Sequence, residues 1–412
     1  MKISSTNAIE ILDSRGKPTV RAFITLEDGS VHSASVPSGS STGSHEALEL
    51  RDGDIKRHMG QGVLKAVDNI NTKIAPAIQG HDADPQTLDK IMIELDGTAG
   101  KTVLGANAIL GVSMAITRAS AHIYKRPLWQ FIKEYYFAGA PVQFPRLMVN
   151  IVNGGKHAGW NFDIQEFMIV PNSKQPTVAL QIASEIFQQL GAELKDLKLS
   201  RLVGDEGGYS PALTSNEHVL DLTILSAEKL GYKNAKDFHL ALDVAATEFY
   251  KDGKYILQKT NQVLSGDDLL KYYQDLRSRY FITSFEDPFA EDDWDHFHKM
   301  TDASGDEYHI VGDDLFVTNV KRIQRGIESQ ASNAVLIKLN QIGSVSETIE
   351  AIKLTKAAGW KVVVSHRSGE TEDAFIADLA YGVSADYIKT GSMSRSERLA
   401  KYNRLIEIEH GF

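Results

Sequence analysis

The sequence predicts an α/β protein in two parts, a small α+β domain followed by a parallel β/α barrel. Three observations lead there. The 412 residues exceed one ordinary domain but suit a small domain joined to a barrel of about 250 residues. The first part shows period-2 alternation followed by helical periodicity. Beyond residue 235, short apolar runs end in an ionisable residue at Asp243, Glu286, Asp313, Lys338, His366 and Lys389, spaced 43, 27, 25, 28 and 23 residues apart.

At the front, Val20, Ala22, Ile24 and Leu26 alternate with Arg21, Phe23, Thr25 and Glu27, and Asp28-Gly29 precedes another alternating run from Val31, which predicts a hairpin. The small-residue stretch SVPSGSSTGSHEA follows; it lacks the lysine of a P-loop, so Ser38 to Ser44 reads as a mobile flap. Helical period appears around residues 60–79 and 104–124. The stretch FAGAPVQFP, with two prolines and a glycine, marks the boundary, dividing the chain into residues 1–139 and 140–412. In the second part, SVSETIEAIKLTKAAG places Ser344 and Glu347 at capping-box spacing and Gly359 at the helix end. Repeated strand-then-helix units imply a parallel sheet closed as a barrel, whose strand ends share one mouth. Six titratable groups then converge there, an arrangement that packing alone would not favour.

Composition narrows the function. With 54 acidic against 44 basic residues the net charge is −10, and no long basic run exists, which argues against a nucleic-acid surface. Without cysteine there is no disulfide framework, thiolate nucleophile or zinc-thiolate site. The opening MKISSTNAIEIL lacks a signal-peptide core, and the apolar stretch Leu104 to Ile123 is interrupted by polar residues, so the expectation is a cytoplasmic protein with no membrane partner.

Asp243, Glu286 and Asp313 offer hard oxygen ligands, which suit Mg²⁺ rather than zinc. The alternative is pairing with Lys338 and Lys389, which leaves one of the three acids uncompensated. Two lysines at the ends of neighbouring strands are expected to depress each other's pKa, giving a neutral amine able to take a proton α to a carboxylate. A divalent cation would favour the ene-diolate that results. Upstream, NGGKHAGWNFDIQEF carries His157, Gln165 and Glu166, and LVGDEGGYSP carries Glu206; either alone reads as ordinary turn chemistry. SHRSGE adds Arg367 and Ser368 after His366, a donor cluster suited to phosphate.

The motifs VPSGSSTG, NGGKHA, QEFM, GDEGG, FEDPF, GDDLFVTN, IKLNQIG, SHRSGETED and RSERLAK occur in one order over nearly the whole chain, which resembles the enolase (phosphopyruvate hydratase) family. The resemblance implies an N-terminal α+β capping domain with a mobile flap and a catalytic barrel of order ββαα(βα)₆. It also implies reversible dehydration of 2-phosphoglycerate to phosphoenolpyruvate, with two Mg²⁺ per active site, the second arriving with substrate. Lys338 then matches the base at C2, and Glu206 the acid for the departing hydroxyl, with Glu166 beside it. Asp243, Glu286 and Asp313 match ligands of the first Mg²⁺, and Ser41 a ligand of the second. His157, His366, Arg367, Ser368 and Lys389 match substrate contacts, and Gln165 an outer partner of the site.

The chain departs from the family pattern at Lys17, at Ser40, at Gly159-Trp160 within HAGWNF, and in GSMSRSER. None of these removes a catalytic group. A racemase or acid-sugar dehydratase of the same superfamily is a competing reading, disfavoured by the SHRS donors and the glycine-serine flap. A fold kept only for surface binding would show a lost catalytic group, and none is lost; a secondary cell-surface role stays open. The resemblance also implies a homodimer or an assembly of dimers.

Overall fold

The computed structural model of the chain describes residues 1–39, 43–304 and 307–412, and their side chains except that of His157. Ser40 and Ser41, singled out from the sequence, lie outside the described residues.

Three antiparallel strands, β1 (Ile3–Leu12), β2 (Pro18–Leu26) and β3 (Val31–Ser35), form the first sheet in that order. The expected hairpin is β2–β3, with Thr25 opposite Val31 and Gly29 at φ 83° in its turn. Strand β1 was not legible, because a register shift between Ile3 and Ser5 breaks its alternation. The helix Ala106–Ile123 packs on this sheet, and a Cβ on Gly111 would meet Val36 Cγ2 at 3.3 Å and Ala22 Cβ at 3.4 Å. The other expected helix begins later than residue 60. It runs from Leu64 to Ile78 through a π-helical turn at Ile70–Ile74.

The second part is a closed eight-stranded barrel. It opens with β4 (Arg146–Asn153), β5 (Glu166–Pro171) and β6 (Phe238–Asp243), with helices Pro176–Asp196 and Asn216–Lys229 between the last two. A small sheet of β7 (Tyr250–Lys251), β8 (Lys254–Leu257) and β9 (Gln262–Leu264) follows. The barrel resumes with β10 (Ile282–Glu286), β11 (His309–Gly312), β12 (Ala334–Ile337), β13 (Lys361–Ser365) and β14 (Tyr387–Lys389). A helix follows each strand from β10 to β14, and helix Gly266–Tyr280 serves β6, completing the order ββαα(βα)₆. β5 runs antiparallel to both neighbours; all other barrel pairings are parallel. Met148, Met168, Val170, Ala241, Val311, Leu336 and Val363 fill the interior as an apolar plug.

Helix Val345–Ala357 is capped as its sequence implies: Ser344 Oγ accepts from the Glu347 amide at 3.2 Å, and Gly359 takes φ 75° past its end. This helix meets the front part of the chain through polar contacts. The Asp89 carboxylate accepts from the Ser346 amide at 2.9 Å, the Val345 amide donates to Ser113 Oγ at 2.9 Å, and buried Lys101 pairs with Glu347 at 3.0 Å. No helix among the described residues is long and apolar enough to cross a membrane.

Complete burial pushes the Asp89 carboxyl from its ordinary 3.8 up to about 6, against the pull of Ser346 and Ser113. The folded state therefore keeps this proton longer than the unfolded chain does. Stability falls as pH rises from about 4 to 6, and the full cost, about 3 kcal/mol, applies above that. Asp89→Asn should unfold at higher denaturant than the parent at pH 8 and converge with it at pH 4, as read by denaturant titration at both pH values.

Candidate active site

The strand ends bring the charges together. Asp243 and Glu286 close β6 and β10 and lie opposite each other in register. Because β5 is reversed, its first residue, Glu166, reaches the same mouth and pairs with Asp243. Asp313, Lys338 and His366 immediately follow β11, β12 and β13, and Lys389 ends β14. The two lysines are not on neighbouring strands, since β13 lies between β12 and β14. That corrects the expectation drawn from the sequence.

The Lys389 ammonium donates to Glu286 Oε1 and Oε2 at 2.8 Å, to Asp243 Oδ2 at 3.0 Å and to Glu166 Oε1 at 3.2 Å, all buried. Lys338 hydrogen-bonds to Asp313 Oδ2, while Gln341 Nε2 donates to Asp313 Oδ1 at 2.8 Å. The expected depression of the lysine pKa values is therefore reversed. Burial pulls both down, but Asp313 beside Lys338 and the Asp243, Glu166 and Glu286 carboxylates around Lys389 outweigh it and raise both.

Five buried carboxylates, Glu166, Glu206, Asp243, Glu286 and Asp313, surround these two ammonium groups. Burial and like charges push Glu166 and Glu286 well above the usual carboxylate range. Such an excess needs protons or a further cation. The donor set, all carboxylate oxygens around Asp243 and Glu286, suits a hard divalent ion such as Mg²⁺. Buried Gln165 Oε1 and Glu166 Oε2 make no hydrogen bond among the described residues, so oxygen donors remain for it. Asp243 and Glu286 share Lys389 while Asp313 turns to Lys338, so a cation held by all three would replace these ammonium contacts. Among the described residues, the groups whose ligand atoms come within 4.8 Å of one another are Glu166, Glu206 and His366, and Asp287, Asp313 and Asp314.

Glu206 stands on the loop before helix 216–229. Asn150 Nδ2 donates to its Oε2 at 3.1 Å. Gly207 has φ 87°, and a Cβ there would fall 2.5 Å from the Ser394 carbonyl, so the glycine is required. Across the cavity, the Arg398 guanidinium donates to His366 Nδ1 at 2.6 Å. Since Arg398 only donates, Nδ1 is the acceptor and the neutral ring carries its proton on Nε2. Burial, with Arg398, holds the His366 pKa well below its ordinary value. Its Nε2, 3.7 Å from Glu206 Oε1, makes no hydrogen bond among the described residues and remains a donor for a ligand. Arg367 is buried alongside, and a Cβ on Gly39 would lie 2.0 Å from its Nη2, so the front loop approaches it backbone first. Ser368 Oγ accepts from Arg15 at 3.4 Å.

These groups line a small cavity bounded by Gln165, Glu166, Glu206, Asp243, Lys338, Ser365, His366, Arg367, Ser368 and Lys389. An amine, several carboxyl groups and a cluster of guanidinium, hydroxyl and imidazole donors share its walls, a set of groups that can exchange protons with an anionic ligand and bind it. The sequence model of the enolase C-terminal TIM barrel domain matches residues 141–412, and that of the enolase N-terminal domain matches residues 3–132.

The chain belongs to the enolase family. Its domains support an enolase-type reaction, that of a lyase of the enolase superfamily acting on a small molecule, and its buried acidic clusters suit a metal.

Of the residues singled out from the sequence, Gln165, Glu166, Glu206, Asp243, Lys338, His366, Arg367, Ser368 and Lys389 face the one cavity. Glu286 and Asp313 meet its lysines. Ser41 and the His157 side chain lie outside the described residues. Sequence reasoning missed Arg398, Asn150, Asn340, Gln341 and Glu46. Arg398 sits inside the motif RSERLAK, yet nothing in its spacing signals a role at the mouth.

Arg398 also donates to the carbonyls of Arg367 and Ser368 at 2.6 Å and of Asp205 at 3.0 Å. Removing the fork leaves several buried acceptors unpaired at about 1–3 kcal/mol each. Arg398→Lys should therefore lower unfolding stability by roughly 3–5 kcal/mol in denaturant titration.

Proposed function

We propose that this chain is a phosphopyruvate hydratase, interconverting 2-phosphoglycerate and phosphoenolpyruvate with Mg²⁺ as cofactor. One observation carries the reading: Lys338 and Glu206 face one cavity that also exposes Arg367, Ser368 and His366. Base, acid and phosphate donors are the three things this elimination needs. The enolase family models support the enolase-type reaction on which it builds.

In this reading Arg367 and Ser368 hold the substrate phosphate, and Arg367 supplies a planar fork that suits its oxygens. Lys338 Nζ, once it has given up the proton it holds against Asp313, takes the proton from C2. The electron pair left behind forms the C2–C3 double bond as the C3–O bond breaks. Glu206 delivers a proton to the departing hydroxyl, so water leaves. Glu166 beside it is pushed well above the usual carboxylate range by burial and by the Glu206 charge, which favours a proton held between the two carboxyls. His366 Nε2–H donates to a substrate oxygen. Asp243, Glu286 and Asp313 would hold the first Mg²⁺, and Ser41 would contribute to a second that comes with substrate. Bound there, the metal offsets the carboxylate excess and stabilises charge developing on the substrate carboxylate.

We take residues 1–139 as a capping domain and residues 140–412 as the catalytic barrel. A cytoplasmic glycolytic enzyme, active as a homodimer or an assembly of dimers, fits the same reading.

Lys338→Ala should lower both phosphoenolpyruvate formation, read by absorbance, and C2 proton exchange with deuterated solvent, read by NMR, by about 10³-fold or more. Glu206→Gln should lose dehydration by a similar factor and retain exchange. Wild-type exchange in Lys338→Ala would exclude this lysine as the base.

Chelation should stop turnover reversibly, and Mg²⁺ at a hundred times its Kd should stabilise the fold by about 2.7 kcal/mol. Glu286→Gln should weaken Mg²⁺ binding by at least about tenfold in calorimetry. Full activity after exhaustive chelation would count against the metal.

A further inference from the structure

We propose that Glu46 is a positioning residue: its carboxylate grips the Arg367 guanidinium and sets its orientation toward an anionic group of the substrate. The inference rests on the reading above for the identity of that group, a phosphate, and on the structure for the grip.

Arg367 Nη1 donates to Glu46 Oε2 at 3.0 Å and Nη2 to Glu46 Oε1 at 3.0 Å, a two-armed pair. Both partners are buried, with side-chain exposures of 3% for Arg367 and 9% for Glu46. The carboxylate is itself fixed, since Oε1 accepts from the Gly43 amide at 3.1 Å and from Gln341 Nε2 at 3.3 Å. Asn340 completes the hold. Its Oδ1 accepts from Arg367 Nη1 at 2.8 Å, and its Nδ2 donates to the Pro37 carbonyl at 3.1 Å.

A buried ion pair is a poor stabilising device, because apolar groups of the same volume avoid its desolvation cost. A two-armed grip instead removes the rotational freedom of a long side chain, which an incoming anion would otherwise have to arrest. Asp313 already acts on the Arg367 charge. Without Glu46 that carboxylate becomes the main competitor for the fork, and turning toward it would carry the donors away from the anion. Gln341 joins the two halves of the mouth, because it donates both to Glu46 and to Asp313.

The test compares wild type, Glu46→Gln and Glu46→Ala. Two quantities are read: KM and kcat for 2-phosphoglycerate, and the Kd of inorganic phosphate by calorimetry, with circular dichroism to verify folding. Glu46→Ala should raise KM and the phosphate Kd together by about 30-fold or more, with a smaller fall in kcat. Glu46→Gln keeps one oxygen acceptor and the volume, so it should recover part of that loss, leaving KM about tenfold above wild type. A merely structural role would lower kcat or thermal stability without moving the phosphate Kd. If Glu46→Ala does not fold, Glu46→Gln and Glu46→Asp are compared instead, and the shortened Glu46→Asp should be the weaker binder of phosphate. KM and phosphate Kd within twofold of wild type in folded variants would overturn the proposal. A wild type inert toward 2-phosphoglycerate whose phosphate Kd still shifts with Glu46 would sink the functional reading and leave the grip standing. A wild type that neither turns over nor binds phosphate would overturn both.

Discussion

The barrel mouth depends on a single ammonium group. Among the described residues, Lys389 Nζ is the one cation that pairs with all of Glu166, Asp243 and Glu286, and it is buried with them. Without it, three carboxylates from three strands would face one another in a poorly solvated space, where like charges repel strongly. Such a cluster does not hold a fold together; the apolar plug beneath it does that. What the cluster provides is a concentrated negative field with cations at fixed points, the condition under which a substrate's own charges can be sorted by position.

Around that centre lies a shell of polar side chains whose work is orientation. Arg398 fixes the ring and tautomer of His366, Asn150 holds Glu206, and Gln341 holds Asp313. Each support comes from well along the chain: Arg398 is 32 residues from His366, Asn150 56 from Glu206, Gln341 28 from Asp313, and Asn340 27 from Arg367. Groups held from two sides keep their geometry as charges change, which a loop-borne site could not do.

Much of this was written in the sequence, and the reasons for the rest are physical. The barrel was legible because each parallel strand delivers its last residue to the same end, so a charge after an apolar run recurs at near-constant spacing. Glu166 broke that rule by standing first in its strand, since alternation along β5 carries no mark of direction. Strand β1 hid behind a register shift, and β7 to β9, two to four residues each, are too short for any period to show. The lysines look like neighbours in the sequence, yet β13, which His366 follows, lies between their strands. Their pKa direction was misjudged for a related reason: the sign depends on which carboxylate sits closest, and that is a distance no spacing encodes. The supporting arginine and amides are invisible to spacing arguments because their partners lie tens of residues away.

The barrel is closed by β14 against β4, with Lys389 beside Met148, about 240 residues apart. That seam brings in the cation the three carboxylates require, so the barrel strand that comes latest along the chain is also the one that neutralises the mouth. A nascent chain lacking it carries two open strand edges and an unpaired acidic cluster. Such long-range closure is slow, and the incomplete sheet is prone to sticking to other chains while it waits. Competence and solubility thus arrive in one late event, and chains stalled or clipped before residue 389 should burden the cell's quality control rather than retain partial activity.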